Sequence, residues 1–167
     1  KFRMKTCREI RAKGGDDYPV CIKLNTEDFL DNGIEIEESA QIAHTLSAEG
    51  IDSIEVCGSM YESYTGKGAV RTRIRKPEQE AYFLTHAEKI TEAVGDVPVI
   101  LVGGLRSVSI MEKVIDEGKA DFISLCRPLI REPDLPARIR EGKEKSDCIS
   151  CNGCMSGRVD VIRCVQI

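Results

Sequence analysis

The feature that most constrains this chain is an alternation. Four short, β-branched apolar runs bounded by Gly or Pro, at 19–25 (PVCIKLN), 51–57 (IDSIEVC), 97–102 (VPVILV) and 120–126 (ADFISLC), read as buried strands. Between them the apolar residues recur three and four apart: Ile36, Ala40, Ile42, Ala43 and Leu46; then Ala81, Phe83, Leu84, Ala87, Ile90 and Val94; then Val108, Ile110, Met111, Val114 and Ile115. Each of these segments predicts a helix with one apolar face. The stretches AEGID, AVGDVP and DEGKAD place a Gly just past a helix and just before the next strand. A first helix is expected over residues 2–13. A last one is expected to start near Pro133, where PDLPARIREGK has Pro early and Gly late.

Near-continuous apolar strands alternating with amphipathic helices predict an α/β fold, a parallel sheet covered by helices. Four units could form a small doubly wound sheet, or half of a (β/α)8 TIM barrel, which typically needs about 250 residues. Periodicity leaves both open. In either architecture the chemistry belongs to the loops at the carboxyl ends of the strands.

Those loops carry the candidate residues. After the third strand, VGGLRS brings Gly103 and Gly104 to a turn where backbone N–H groups could approach an anion, and Ser107 could cap the next helix. A plain tight turn is the alternative. After the fourth strand, Arg127 stands where a guanidinium could hold a phosphate, stack on a planar ring, or simply pair with a carboxylate. In the first strand Lys23 is embedded among Val20, Cys21, Ile22 and Leu24, so it either snorkels outward or meets an anionic ligand. Alternation puts Lys23 and Cys21 on one face. Half of the chain's eight cysteines, Cys148, Cys151, Cys154 and Cys164, fall in its last 20 or so residues. Four thiolates could hold an iron–sulfur cluster or close a zinc tetrahedron.

Other features narrow the classes. The formal charge of −4 and the absence of a basic tail argue against nucleic acid. No apolar run approaches the roughly 18 residues that cross a bilayer, and the charged start KFRMKTCREIRAK has no signal-peptide core, so no membrane and a cytoplasmic location are expected. In that setting cysteines serve as thiols or metal ligands. Cys7, Cys21 and Cys57 read as buried small hydrophobes, and His44 and His86 as packing or surface residues. The loop at 61–77 carries Lys67, Arg71, Arg73, Arg75 and Lys76. Such a loop is either a solvated surface or a meeting point for a nucleotide or CoA phosphate. No G-x-G-x-x-G is present, so no separate dinucleotide-binding domain is expected within these residues.

The runs YPVCIKLNTEDFLDNG, VPVILVGGLRS and ADFISLCRPLIREPDLP, with the cysteine-rich tail, resemble the C-terminal half of the old yellow enzyme family of flavin oxidoreductases, in its 2,4-dienoyl-CoA reductase-like branch. The resemblance covers nearly the whole chain. It implies strands 5 to 8 of an FMN-binding TIM barrel over residues 1–145, followed by a metal-binding segment over 146–167. It further implies that Lys23 serves catalysis and cofactor binding at the flavin N1 and O2 edge, where the family usually has Arg. Gly103, Gly104, Cys126 and Arg127 would hold the FMN phosphate, Cys126 replacing the family's usual glycine, and Gly58 would line the mouth of the site. Cys148, Cys151, Cys154 and Cys164 would bind a [4Fe–4S] cluster, with shorter second and third gaps than that branch uses.

The expected activity is NAD(P)H-dependent reduction of an activated C=C bond, as in an enone or enoyl-CoA. The proton donor is expected to lie before Lys1. The half-barrel is expected to be inactive alone, and to self-associate or pair with its missing N-terminal half. Two other readings stay open: a non-catalytic phosphate- and metal-binding α/β module stapled by zinc, and a barrel isomerase or aldolase with Lys23 as Schiff-base lysine.

Overall fold

The computed structural model describes residues 2–60, 68, 70–155 and 161–167, the side chains of Phe2 and Arg3 excepted. Helix α1 (Phe2–Gly14) leads into β1 (Cys21–Asn25), α2 (Ile36–Ala48), β2 (Ser53–Cys57), α3 (Leu84–Val94), β3 (Val99–Leu101), α4 (Val108–Asp116), β4 (Phe122–Ile123), α5 (Arg127–Arg131) and α6 (Leu135–Arg140). The strands form one parallel sheet in the order β1-β2-β3-β4.

That sequential order is the one successive units of a barrel have. Each parallel crossover is right-handed, so an unbroken order puts every connecting helix on the same face of the sheet. A doubly wound sheet needs a reversal of order, and there is none among the described strands. The burial pattern agrees. Leu24, Ile54, Val56, Val99 and Leu101 are fully buried and share a core cluster with Ala43 and Leu46 of α2, Ala87 and Ile90 of α3, and Met111 and Val114 of α4. In-register neighbours point the same way, so Cys21 and Lys23 on β1, Glu55 on β2, Ile100 on β3 and Phe122 on β4 make the opposite face. This face is open: Cys21 is exposed, and Phe122 is 57% exposed. A sheet covered by helices on both sides is therefore not what forms. Cys21 is correspondingly not the buried small hydrophobe expected of it, and Cys57 is half-buried, whereas Cys7 is buried.

Aspartates just before two strands fix the amino ends of the sheet. Asp52 accepts the Val20 N–H (2.5 Å) and an Arg11 guanidinium N–H (2.7 Å), bonds that hold its carboxyl below the usual carboxylate range. Asp121 accepts the Val99 N–H at 2.8 Å. These bonds leave the carboxyl ends as the end with room for chemistry.

Two boundaries differ from expectation. Helix α3 starts at Leu84, because Ala81 has a left-handed backbone (φ 52°) and the chain from Ala81 to Phe83 turns back onto the sheet, with the Tyr82 N–H donating to the Gly103 carbonyl at 3.2 Å. Ala81 and Phe83 are buried there from a turn, which periodicity read as helix. The segment after β4, expected as a loop, instead forms the short α5, where Pro128 is tolerated in the first turn because its missing N–H has no intrahelical partner to lose.

Candidate active site

The turn after β3 is built around two glycines with positive φ, Gly103 at 134° and Gly104 at 72°. The Tyr82 ring lies over it. A Cβ on Gly104 would sit 2.7 Å from Tyr82 Cε1, and one on Gly103 would sit 3.1 Å from both Tyr82 and Phe83. The turn thus needs glycine for conformation and for clearance. Burial pushes the Tyr82 phenol above its ordinary pKa, against the pull of Arg127, so it is a neutral phenol at physiological pH.

Ser107 does not cap α4 with its side chain. The buried Glu80 carboxylate occupies that position instead, accepting from the Arg106 N–H (2.7 Å), the Ser107 N–H (2.8 Å) and the Ser107 hydroxyl (2.8 Å). A carboxylate at a helix N-terminus satisfies the orphan donors and the helix dipole together. An anion cradled by this turn therefore meets the Gly103–Gly104 side of it, away from the α4 N-terminus.

Arg127 is 8% exposed, and its Nη1 donates to the Arg71 carbonyl (2.7 Å) and to Asn152 Oδ1 (2.6 Å). Asn152 Nδ2 in turn donates to the Val70 carbonyl at 2.9 Å, and the Arg73 N–H donates to Ser150 O at 2.9 Å. The guanidinium thus pins two segments, the loop after β2 and the cysteine-rich tail, to the end of β4. The Arg71 guanidinium stacks on Tyr82, 4.5 Å from the ring centroid, with Phe83 and Phe29 at 5.7 and 6.0 Å.

A hollow of about 80 Å³ opens at this junction, lined by Gly103, Gly104, Cys126, Arg127, Tyr82 and Ser124 among others. Four of the residues expected to hold a phosphate meet here. The volume suits a group of a few heavy atoms, given that water occupies about 30 Å³ in the liquid. A glycine turn, a buried guanidinium and this size fit the phosphate of FMN.

Two further expected residues lie outside this hollow. Gly58 is buried against Phe83 and Phe29, where a Cβ would lie 2.8 Å from Phe83 Cε1, and it does not line the hollow. Lys23 is on the open face, its side chain 53% exposed, and its ammonium is 2.6 Å from Glu55 Oε1 on the adjacent strand. The anion it meets is part of the chain.

On the far side of Arg127 a second small hollow is lined by all four tail cysteines, Cys148, Cys151, Cys154 and Cys164. Two of the sulfurs accept weak hydrogen bonds: Cys151 from the Gly153 N–H (3.5 Å), and Cys164 from the Gln166 N–H (3.5 Å) and from Arg131 (3.6 Å). Burial raises the Cys154 thiol pKa, and Cys148 and Cys151 raise it further, as expected of thiols facing one space. Among the described residues no group of three His, Cys, Asp or Glu side chains stands at metal-ligating distances. Thiolates are the donor type that an iron–sulfur cluster or a zinc ion takes.

His86 packs against Phe83 and Phe29, its ring 2.8 Å from Thr26 Oγ1 and 3.3 Å from Glu27. Burial lowers its pKa; Glu27 opposes the shift, and Arg71 adds to it. His44 reaches the Ala93 carbonyl at 3.0 Å. His86 is thus a packing residue, whereas His44 is exposed on the surface. Of the basic loop, Arg71, Arg73, Arg75 and Lys76 are described, while Lys67 lies outside the described residues. Sequence reasoning missed Glu80, Asn152 and the aromatic seat of Arg71. None has a local signature, because each acts on a segment distant in the chain.

Parallel β/α units with a glycine turn and an arginine at the carboxyl ends of adjacent strands are the arrangement from which barrel enzymes of many chemistries build a phosphate site. The chain belongs to the NADH:flavin oxidoreductase / NADH oxidase family, whose model matches residues 1–146. It is 33% identical over 162 residues to an NADH oxidase of Thermoanaerobacter brockii, covering 95% of this chain and 24% of that one. Among solved structures it resembles a 2-naphthoyl-CoA reductase in complex with 2-naphthoyl-CoA, with TM-score 0.78 and 30% identity over 93% of this chain and 23% of that one. The old yellow enzyme homologue of Zymomonas mobilis shares the fold, with TM-score 0.60 and 21% identity over 87% of this chain and 38% of that one. The chain spans about a quarter of the length of the first two. The family is one of flavin-dependent enzymes that use NADH. Among the described residues no helix is long and apolar enough to cross a membrane.

Proposed function

We propose that this chain supplies half of an FMN-dependent reductase barrel, residues 1–145, together with a cysteine segment, 146–167, that holds an iron–sulfur cluster. The observation that carries the reading is the position of Arg127, which lines both the hollow at Gly103–Gly104 and the hollow of four cysteines. Gly103 and Gly104 offer backbone N–H groups to the FMN phosphate, Arg127 neutralises its charge, and Cys126 closes the rim. Lys23 places positive charge on the open face, toward the interior of the completed barrel, where it would favour electron density on a reduced ring. Glu55 sets the direction of that ammonium. Gly58 serves by making room for Phe83 and Phe29 rather than by touching the cofactor.

The chemistry that bound FMN supplies is hydride transfer from NAD(P)H to the β-carbon of an activated alkene. A CoA thioester substrate is supported by the similarity to a 2-naphthoyl-CoA reductase. The open sheet face supports pairing with a further set of β/α units or with a second copy of this chain.

The experiment is acid extraction of flavin with parallel iron, sulfide and zinc analysis. FMN with iron and sulfide supports the reading. A protein that holds zinc and takes up no flavin on reconstitution would be a binding module instead.

A further inference from the structure

Beside the Gly103–Gly104 hollow runs a separate cleft of about 710 Å³, lined by Thr72, Arg73, Arg75, Arg106, Lys145 and Ile149, with Cys151 at its edge. Its size lies in the range of about 300–1,000 Å³ that holds a whole small ligand. Among its described lining residues four are cations and none is a carboxylate, in a chain whose formal charge is −4. Among the described residues Arg73 and Arg75 have no ion pair. Lys145 has one, to the buried Glu80 at 3.7 Å.

The cleft is built rather than incidental. Ile74, 4% exposed, anchors the strip between Arg73 and Arg75, and both arginines are exposed. The Arg73 N–H is held by Ser150 O at 2.9 Å and the Arg75 N–H by Gln79 Oε1 at 2.9 Å. Arg106 forms the floor, its Nη1 donating to the Ile74 carbonyl (2.6 Å) and Nη2 to the Ser146 carbonyl (3.3 Å). Like charges held together by fixed backbone repel one another until an anion joins them. A planar guanidinium can also bind phosphate with two N–H groups and stack on a flat base, and Ile149, 47% exposed, adds an apolar wall.

We propose that this cleft binds the ribose phosphomonoester of an adenosine nucleotide, the group that coenzyme A thioesters carry at the 3′ position and NADPH at the 2′ position. The proposal deepens the reading of the chain as a reductase and assigns Arg73 and Arg75 as its specificity-determining residues. The FMN phosphate is not a competing occupant, because its hollow is the separate, smaller one around Arg127.

The test is calorimetric titration of the protein as purified with adenosine 3′,5′-bisphosphate, adenosine 2′,5′-bisphosphate and 5′-AMP, repeated on R73A/R75A. Neither side chain makes a hydrogen bond or ion pair among the described residues, so the double variant should fold. At least one bisphosphate should bind about tenfold or more tighter than 5′-AMP, as expected for charge-assisted bonds to one extra phosphate, and the double variant should lose that advantage. Preference for the 3′ isomer identifies the thioester as the source, and preference for the 2′ isomer identifies NADPH. Bisphosphates that bind no tighter than 5′-AMP, or an advantage that survives in R73A/R75A, would overturn the proposal. Binding is read without turnover and flavin content is read separately, so a protein without FMN would defeat the flavoenzyme reading while leaving this result legible.

Discussion

At the scale of single residues, Gly104 is where conformation and contact coincide. G104A puts a Cβ at a φ of 72° and 2.7 Å from Tyr82, so it should lower stability by about 1–3 kcal/mol in urea denaturation and reduce FMN content. The double variant G104A/Y82L should recover the part that is clash and retain the part that is backbone strain. His86 carries the pH dependence. Its folded-state pKa is lowered, chiefly by burial, so the neutral form belongs to the folded state, and the stability it contributes is present above the unfolded value of about 6.5. That contribution is lost as pH falls toward the folded value. H86Q should therefore flatten the fall of the urea midpoint between about pH 7 and pH 5 relative to the parent protein. Glu80 shows what a sequence does not display: a charged residue in PEQEAY reads as surface, and only the fold brings the α4 N-terminus to it.

At the scale of elements, the strands and the helices between them were legible because each writes its own period into the chain: Leu24 and Ile22 alternate with Lys23 and Cys21, and Ala87, Ile90 and Val94 repeat along α3. Local period failed where a buried residue sits in a turn, as at Ala81 and Phe83, and where a helix is too short to show one, as in α5. The glycine turn, Cys126 and Arg127 were legible as parts, and the structure gathers them around one hollow. The link from Arg127 to Asn152 and Arg71 was not, since it joins residues 25 and 56 positions apart. R127K keeps the charge and loses the fork, so it should loosen the tail: limited proteolysis around 147–155 should speed up several-fold, with loss of FMN and of iron together. Loss of FMN with the tail still protected would separate the two roles and contradict the bridging one.

At the scale of the molecule, the parallel sheet packs α2, α3 and α4 on one face and leaves Phe122, Ile100 and the Lys23–Glu55 pair on the other, a surface that an eight-unit barrel would enclose. The sequence could not decide between an arc and a doubly wound sheet, because strand order is a property of pairing and not of period. An exposed face and free sheet edges predict that these residues alone self-associate; sedimentation should show mass rising with concentration, and a strictly monomeric, active species would contradict the half-barrel account.

The central claim, that the two hollows flanking Arg127 hold a flavin and an iron–sulfur centre, is tested most directly by one anaerobic visible absorption spectrum, recorded before and after dithionite. The account predicts flavin bands over a broad brown shoulder, both bleaching on reduction. A protein that stays colourless after reconstitution with FMN, iron and sulfide would contradict it.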